Sequence, residues 1–298
     1  MSNKIKLDKS GSRVVEFRTH DKLRIAESLL YTVGKMHEKG KVHRDVKPKN
    51  VLMLYDRDQD RPEGYLIDFD LITDFGESPL STSYCFWDSC SEAGLVLPTS
   101  DIFGVAMCLA NSVFAGRIPI RLGEARETGG LSLVEKEINR SHESLTRDRV
   151  TQLLSQIGGT AVQRNEIQRY QQHIFLDAAL HGKVVPNVDE IKGVLEEIIK
   201  ADQRSKTAIR EFQADCVAAQ ELSQLLREIY KADSKLLAYF KTSDGLKVRQ
   251  VFDDKSVPTE EKLAKMEEIY SKPEFKVFKE FGSRVKSIRE NWERFVGA

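Results

Sequence analysis

The stretch that decides the fold is Val42-His43-Arg44-Asp45-Val46-Lys47-Pro48-Lys49-Asn50, followed after an interval by Leu66-Ile67-Asp68-Phe69-Asp70-Leu71. Two short apolar runs lie between, Val51-Leu52-Met53-Leu54-Tyr55 and Tyr65-Leu66-Ile67, separated by the polar stretch 56–64 with its Pro62. That pattern predicts a β-hairpin with a long turn. Asp45 and Asp68 are then carboxylates bracketing a hairpin, Lys47 is a fixed cation, and Asn50 is a neutral oxygen donor. Together they suit a site that holds a polyphosphate with hard cations, because magnesium takes a few carboxylate or amide oxygens together with phosphate oxygens.

Upstream, Ala26, Leu29, Leu30, Val33 and Met36 follow one helical face between Asp21 and Gly40, and Gly40 is a C-terminal stop signal. Downstream, Thr99 or Ser100 can cap a helix reaching about Ala115, with Ile102, Phe103, Val105, Met107, Leu109, Val113 and Phe114 on nearly every face. A helix apolar all round belongs in the middle of a domain. Five of the eight prolines precede residue 120, whereas only four glycines follow Gly182. The last part of the chain is therefore expected to be long helices, at about 131–156, 161–181, 188–201, 205–231, 234–242, 259–270 and 274–295. Ile209, Phe212, Cys216, Ala219, Leu222, Leu226 and Ile229 form a near-heptad stripe too short for a sustained coiled coil, which predicts packing within a helical bundle.

The 298 residues carry 46 basic and 46 acidic side chains, a net charge of zero that argues against a nucleic-acid partner. The longest apolar stretch, 102–114, is broken by Gly104, Asn111 and Ser112 and is too short to span a bilayer, so no membrane association is expected. The polar N-terminus has no apolar signal core, which predicts a cytoplasmic protein. Cys85, Cys90, Cys108 and Cys216 include no CxxC pair and read as reduced, buried thiols.

His43-Arg44-Asp45, Lys47 two residues later and Asn50 five after the aspartate resemble the catalytic loop of eukaryotic-type Ser/Thr protein kinases, HRDxKPxN. Five specified positions arise by chance in on the order of one in ten thousand chains of this length. The surroundings agree with the resemblance. Met36-His37 closes the preceding helix, Asp68-Phe69-Asp70 stands where that family has its metal-binding Asp-Phe-Gly, and Thr99-Ser100-Asp101-Ile102-Phe103-Gly104 resembles the start of the buried central helix of the kinase C-lobe. The resemblance covers residues 20–120. It implies that Asp45 accepts the substrate hydroxyl proton, that Lys47 steadies the transferring phosphoryl group, and that Asn50 and Asp68 bind the ATP cofactor through Mg2+. It also implies that Asp101 holds the backbone of the catalytic loop.

The chain departs from the family pattern in three places. Only 42 residues precede His43, with no GxGxxG and no strand lysine, so no counterpart of the kinase N-lobe is expected; Val14-Val15-Glu16-Phe17 is a candidate remnant of the strand that joins the lobes. Asp70 replaces the glycine, and a literal Asp74-Phe75-Gly76 follows; Asp68 is preferred because Tyr65-Leu66-Ile67 supplies an apolar strand directly before it. Trp87-Asp88 stands in place of the Pro-Glu anchor, with Asp88 as the structural carboxylate.

The expected fold is α+β and mostly helical, a protein-kinase-like C-lobe with a short β-hairpin over 1–185 followed by a helical extension over 186–298. The expected function is ATP-dependent phosphoryl transfer to Ser or Thr of a protein substrate, with catalytic residues Asp45 and Lys47 and with Asn50 and Asp68 for ATP·Mg2+. The alternatives are a pseudokinase or scaffold that binds a partner protein, with a separately supplied N-lobe as one such partner, or a fragment of a longer kinase.

Overall fold

A computed structural model describes residues 5–7, 13–15, 18–56, 61–76, 88–92, 94–113 and 203–297. The described chain is mostly helical, with three small antiparallel strand pairs. Strand β1 (Ile5–Leu7) pairs with β2 (Arg13–Val15), so Val14 and Val15 do lie in a strand. Helix α1 (Thr19–His37) follows; its first turn is closed by the Arg18 main-chain amide, which donates to the Asp21 carboxylate at 3.0 Å. The apolar face of α1 buries Leu23, Ala26, Leu29 and Val33. Gly40, at φ 69°, turns the chain after the helix into β3 (Lys41–Val42).

The expected hairpin is present, with a shorter turn than its sequence suggests. Strand β4 (Val51–Asp56) pairs with β5 (Arg61–Leu66) in the register Val51↔Leu66 through Asp56↔Arg61. Residues 61–64, expected in the turn, are strand. Pro62 opposite Tyr55 is tolerated because alternate N–H groups of a two-stranded ribbon point away from the partner. Beyond the hairpin, β6 (Thr73–Asp74) returns to pair with β3.

A short helix α2 (Ser89–Glu92) leads to the central helix α3 (Pro98–Val113), which runs through the core with Phe103, Val105, Ala106, Leu109 and Ala110 almost wholly enclosed. The helices expected at 131–156, 161–181 and 188–201 lie outside the described residues, as does the expected boundary at 185/186.

The C-terminal part forms α4 (Gln203–Tyr239), α5 (Ser243–Asp253), α6 (Thr259–Tyr270) and α7 (Lys276–Gly297). Two expectations need correction. The helices expected at 205–231 and 234–242 are one continuous helix, because Ala232 and Asp233 at the supposed break are buried and no Gly or Pro interrupts the turn. Helix α5 was not expected; it starts where the Thr242 hydroxyl accepts the Gly245 amide at 3.1 Å, and it buries Val248 and Phe252 four residues apart.

Helix α7 lays Phe278, Phe281, Val285, Ile288 and Trp292 between α4 and α1. Each such side chain contributes about 1.5–3 kcal/mol on burial. Polar contacts fix the register: Arg289 pairs with Glu27 at 2.5 Å, Arg24 with Glu293 at 2.7 Å, and Trp292 Nε1 donates to Asp215 at 2.8 Å. The buried part of the α4 stripe (Cys216, Ala219, Leu222, Leu226, Ile229) is satisfied within the chain. Residues of α1 and α3 share one hydrophobic cluster with residues of α4 to α7.

Candidate functional site

The loop from His43 to Lys47 is held from below by one carboxylate. Asp101, in the first turn of α3 and 1% exposed, accepts the main-chain amides of His43 (Oδ2, 2.8 Å) and Arg44 (Oδ1, 2.8 Å). His37 Nε2, at the end of α1, lies 2.9 Å from the same Oδ2. Three elements therefore converge on one buried anion, and the arrangement holds Arg44 at φ 73°, a left-handed conformation uncommon for a residue with a side chain. Helix α3 comes this close because residue 104 is glycine: a Cβ there would lie 2.8 Å from the Val46 carbonyl oxygen.

On the other side of the loop, Asp45 is the point of convergence. Its Oδ2 accepts from Lys47 Nζ at 2.6 Å and from Asn50 Nδ2 at 2.9 Å, and Asn50 Nδ2 also donates to the Asp45 carbonyl at 3.0 Å. Asp45 and Asn50 are buried, and Lys47 is partly so. The 3-10 turn Pro48–Asn50 supplies the spacing: Pro48 opens it, and the Asn50 amide closes on the Lys47 carbonyl at 2.9 Å. The structure thus brings Asp45, Lys47 and Asn50 into one hydrogen-bonded group.

Asp68 follows the end of β5, whose backbone is tied to the same loop. The Ile67 amide donates to the Asn50 carbonyl at 2.9 Å, and the Phe69 ring meets the His43 imidazole edge-on with centroids 5.1 Å apart. Burial pushes the His43 pKa below its ordinary value, against the opposing pull of the Asp101 carboxylate. Asp68 is exposed and stands at φ 65°, the other positive-φ position among described non-glycine residues. Asp70 is not at positive φ, so the missing glycine costs the backbone nothing here. Asp74 has a different role: it sits in β6, paired with Lys41 at 2.8 Å, and the following Phe75 is enclosed in the core.

Asp88 is fully buried and accepts the Ser91 amide and the Ser100 hydroxyl, both at 3.0 Å, which ties the start of α2 to the start of α3. His37 is the contributor that sequence reading left without a role; a histidine ending the helix just before the loop was the available signal. Above the group, the outer face of the hairpin is open. Leu52, Leu54, Tyr65, Ile67 and Phe69 are each 40–48% exposed, although the run Val51–Leu54 is apolar on both faces of its strand.

No cluster of three or more His, Cys, Asp or Glu side chains among the described residues could hold a metal ion by itself. Both side-chain hydrogen bonds of Asn50 use Nδ2 and leave its amide oxygen as a ligand atom for a cation that takes most of its ligands from phosphate and water. No helix among the described residues is long and apolar enough to cross a membrane.

No protein-family model matches the chain. Over 82 residues, 28% of its length, the chain is 34% identical to a calcium/calmodulin-dependent protein kinase type 1 of Caenorhabditis elegans, and this match covers 21% of that protein. The chain therefore contains a stretch similar to a protein kinase, spanning about a fifth of the relative it matches.

Proposed function

We propose that the chain carries the phosphoryl-transfer face of a protein-kinase-type site, acting with ATP and Mg2+ on a Ser or Thr hydroxyl of a protein substrate. The observation that carries this reading is the convergence of Lys47 and Asn50 on Asp45 Oδ2, in a loop whose backbone is clamped by Asp101. Because both bonds fall on Oδ2, Oδ1 is the oxygen that takes the proton as the substrate hydroxyl oxygen attacks the γ-phosphorus and the bond to the bridging oxygen of ADP breaks. Lys47, whose Nζ lies 2.6 Å from Asp45 Oδ2, would steady the charge of the transferring group. Magnesium held by Asn50 Oδ1 and Asp68 would neutralise negative charge on the phosphates.

The second reading is a binding module, a pseudokinase or scaffold, and the open apolar face of the hairpin favours it. Leu52, Leu54, Tyr65, Ile67 and Phe69 form a patch that a further protein segment or a separately supplied lobe would cover. One experiment separates the two readings: calorimetric titration of the chain with ATP, with and without magnesium, beside Asp68→Asn. Magnesium-dependent binding that disappears in the variant supports the phosphoryl-transfer reading. An absence of heat at millimolar ATP overturns it for this chain and leaves the binding module.

A further inference from the structure

Strands β3 and β6 form an antiparallel ribbon of only two residues each, with Lys41 opposite Asp74 and Val42 opposite Thr73. The near end of the ribbon runs from Val42 into His43, Arg44 and Asp45, and from Thr73 back to Asp68. Its far end, at Gly40 and Phe75, meets α5 and the first turn of α6. A Cβ on Gly40 would overlap Thr259 Cγ2, and a Cβ on Gly76 would overlap the Phe252 carbonyl oxygen. Lys262, 7% exposed, donates from Nζ to the Phe252 carbonyl at 2.9 Å and to the Phe75 carbonyl at 3.4 Å. One ammonium therefore links α5, α6 and the end of the ribbon. The Asp254 carboxylate, held below its ordinary pKa chiefly by hydrogen bonds from Ser256, also interacts electrostatically with this ammonium.

We infer that Lys262 is a positioning residue for the phosphoryl-transfer site: with Thr259 it grips the far end of the β3–β6 ribbon and so sets where the near end presents Asp68 and Asp45. This inference rests on the reading of Asp45, Lys47, Asn50 and Asp68 given under the proposed function. An isolated two-stranded ribbon is marginal at best in water, so one of two residue pairs takes its place from what packs against it. Thr259 and Lys262 are three residues apart, which puts them on one face of α6, and that face reaches both strands. On the other side the Gly76 amide donates to the Val96 carbonyl at 2.9 Å, so the end of β6 is held between the approach to α3 and the C-terminal helices. The loop at His43 and Arg44 has its own clamp in Asp101, whereas Asp68 is exposed at φ 65°. Asp68 therefore depends on the ribbon more than Asp45 does, and the C-terminal helices act on the site chiefly through it.

The test is amide hydrogen exchange of the whole chain without nucleotide, followed by titration with ATP·Mg2+. Lys262→Met keeps the stem and removes the donors. It should speed exchange about tenfold across 67–76, and less across 41–45, while 103–110 in α3 and 222–236 in α4 exchange as in the parent. In the same folded variant the Kd for ATP·Mg2+ should rise about tenfold, an effect that a loss of overall stability alone does not produce. If Lys262→Met does not fold, Thr259→Ala decides: it removes the methyl group against Gly40 at the half-buried start of α6, and should speed exchange across 41–45 and 67–76 about threefold. The inference is overturned if these segments exchange as in the parent, if they speed up only together with α3 and α4, or if a variant with the local change binds ATP·Mg2+ as tightly as a parent that binds it. A parent chain that binds no ATP·Mg2+ refutes the phosphoryl-transfer reading instead, and the exchange pattern still shows whether Lys262 and Thr259 hold the ribbon.

Discussion

The Arg44 amide lies 2.8 Å from Asp101 Oδ1 while Arg44 itself is held at φ 73°. A buried carboxylate thus fixes a loop conformation that the residue would not adopt alone, and local strain at a candidate catalytic loop is supported by tertiary contact. Asp101→Asn keeps one acceptor and turns an NH2 group towards a main-chain donor. We expect it to destabilise the fold by about 2–4 kcal/mol in urea unfolding, since hydrogen bonds to a buried charge are lost. It should also weaken ATP·Mg2+ binding even where the protein remains folded. A variant as stable as the parent would show that the clamp is dispensable.

Asp68 gives a sharper separation of fold from function. It is exposed and at φ 65°, a conformation that Asp and Asn both tolerate. Asp68→Asn should leave stability within about 0.5 kcal/mol of the parent. Asp68→Ala should cost about 1 kcal/mol more, because alanine lacks the local hydrogen bonds that ease left-handed backbone. Equal unfolding midpoints for the two variants would contradict this.

Two glycines should respond in opposite directions to alanine. At Gly76 the added methyl meets the Phe252 carbonyl at positive φ, and Gly76→Ala is expected to lose about 3 kcal/mol or more. At Gly34, inside α1, a Cβ meets nothing within 4 Å, so Gly34→Ala should gain about 0.5–1 kcal/mol from helix propensity. Circular-dichroism melts of both variants check the sign.

Stability should fall on mild acidification. His20 stacks on Trp292 with ring centroids 4.5 Å apart, and burial lowers its pKa, with Asp21 and Glu293 pulling it up and Arg18 and Arg24 pushing it down. His43 is lowered by burial as well. A histidine whose folded pKa lies below the unfolded value of 6.5 is favoured neutral in the folded state. Its contribution is therefore complete above pH 6.5 and is lost as pH falls through the folded pKa. We expect the urea midpoint to drop between pH 7 and pH 5, and His20→Phe to flatten that dependence while keeping the stack. Glu228, held below its ordinary value by the Arg284 hydrogen bond, acts in a separate window below about pH 4.5. A midpoint that rises from pH 7 to pH 5 would refute the assignment.

Much of the fold was legible because its signals are local. The apolar stripe of α1, the all-round apolarity of α3 and the paired runs of the hairpin are short-range patterns, and they mark elements that the structure contains. The group Asp45, Lys47 and Asn50 lies within six residues, so one 3-10 turn suffices to bring it together. Boundaries were less legible. Residues 61–64 look like turn and are strand, and the continuity of α4 through Asp233 depends on burial against other helices.

The sequence alone determined the chemistry available to this protein, two carboxylates, a lysine and an asparagine at fixed spacing around a hairpin, because side-chain type and short spacing need no distant partner. Only the tertiary structure decided which carboxylates are structural. Asp101 was marked by its place at the head of the central helix, but its triple engagement with His37, His43 and Arg44 joins residues up to 64 positions apart. The contact of Lys262 with Phe75 spans 187 positions. Such contacts leave no periodic trace in the chain, since they follow from how helices close over one another around a shared core.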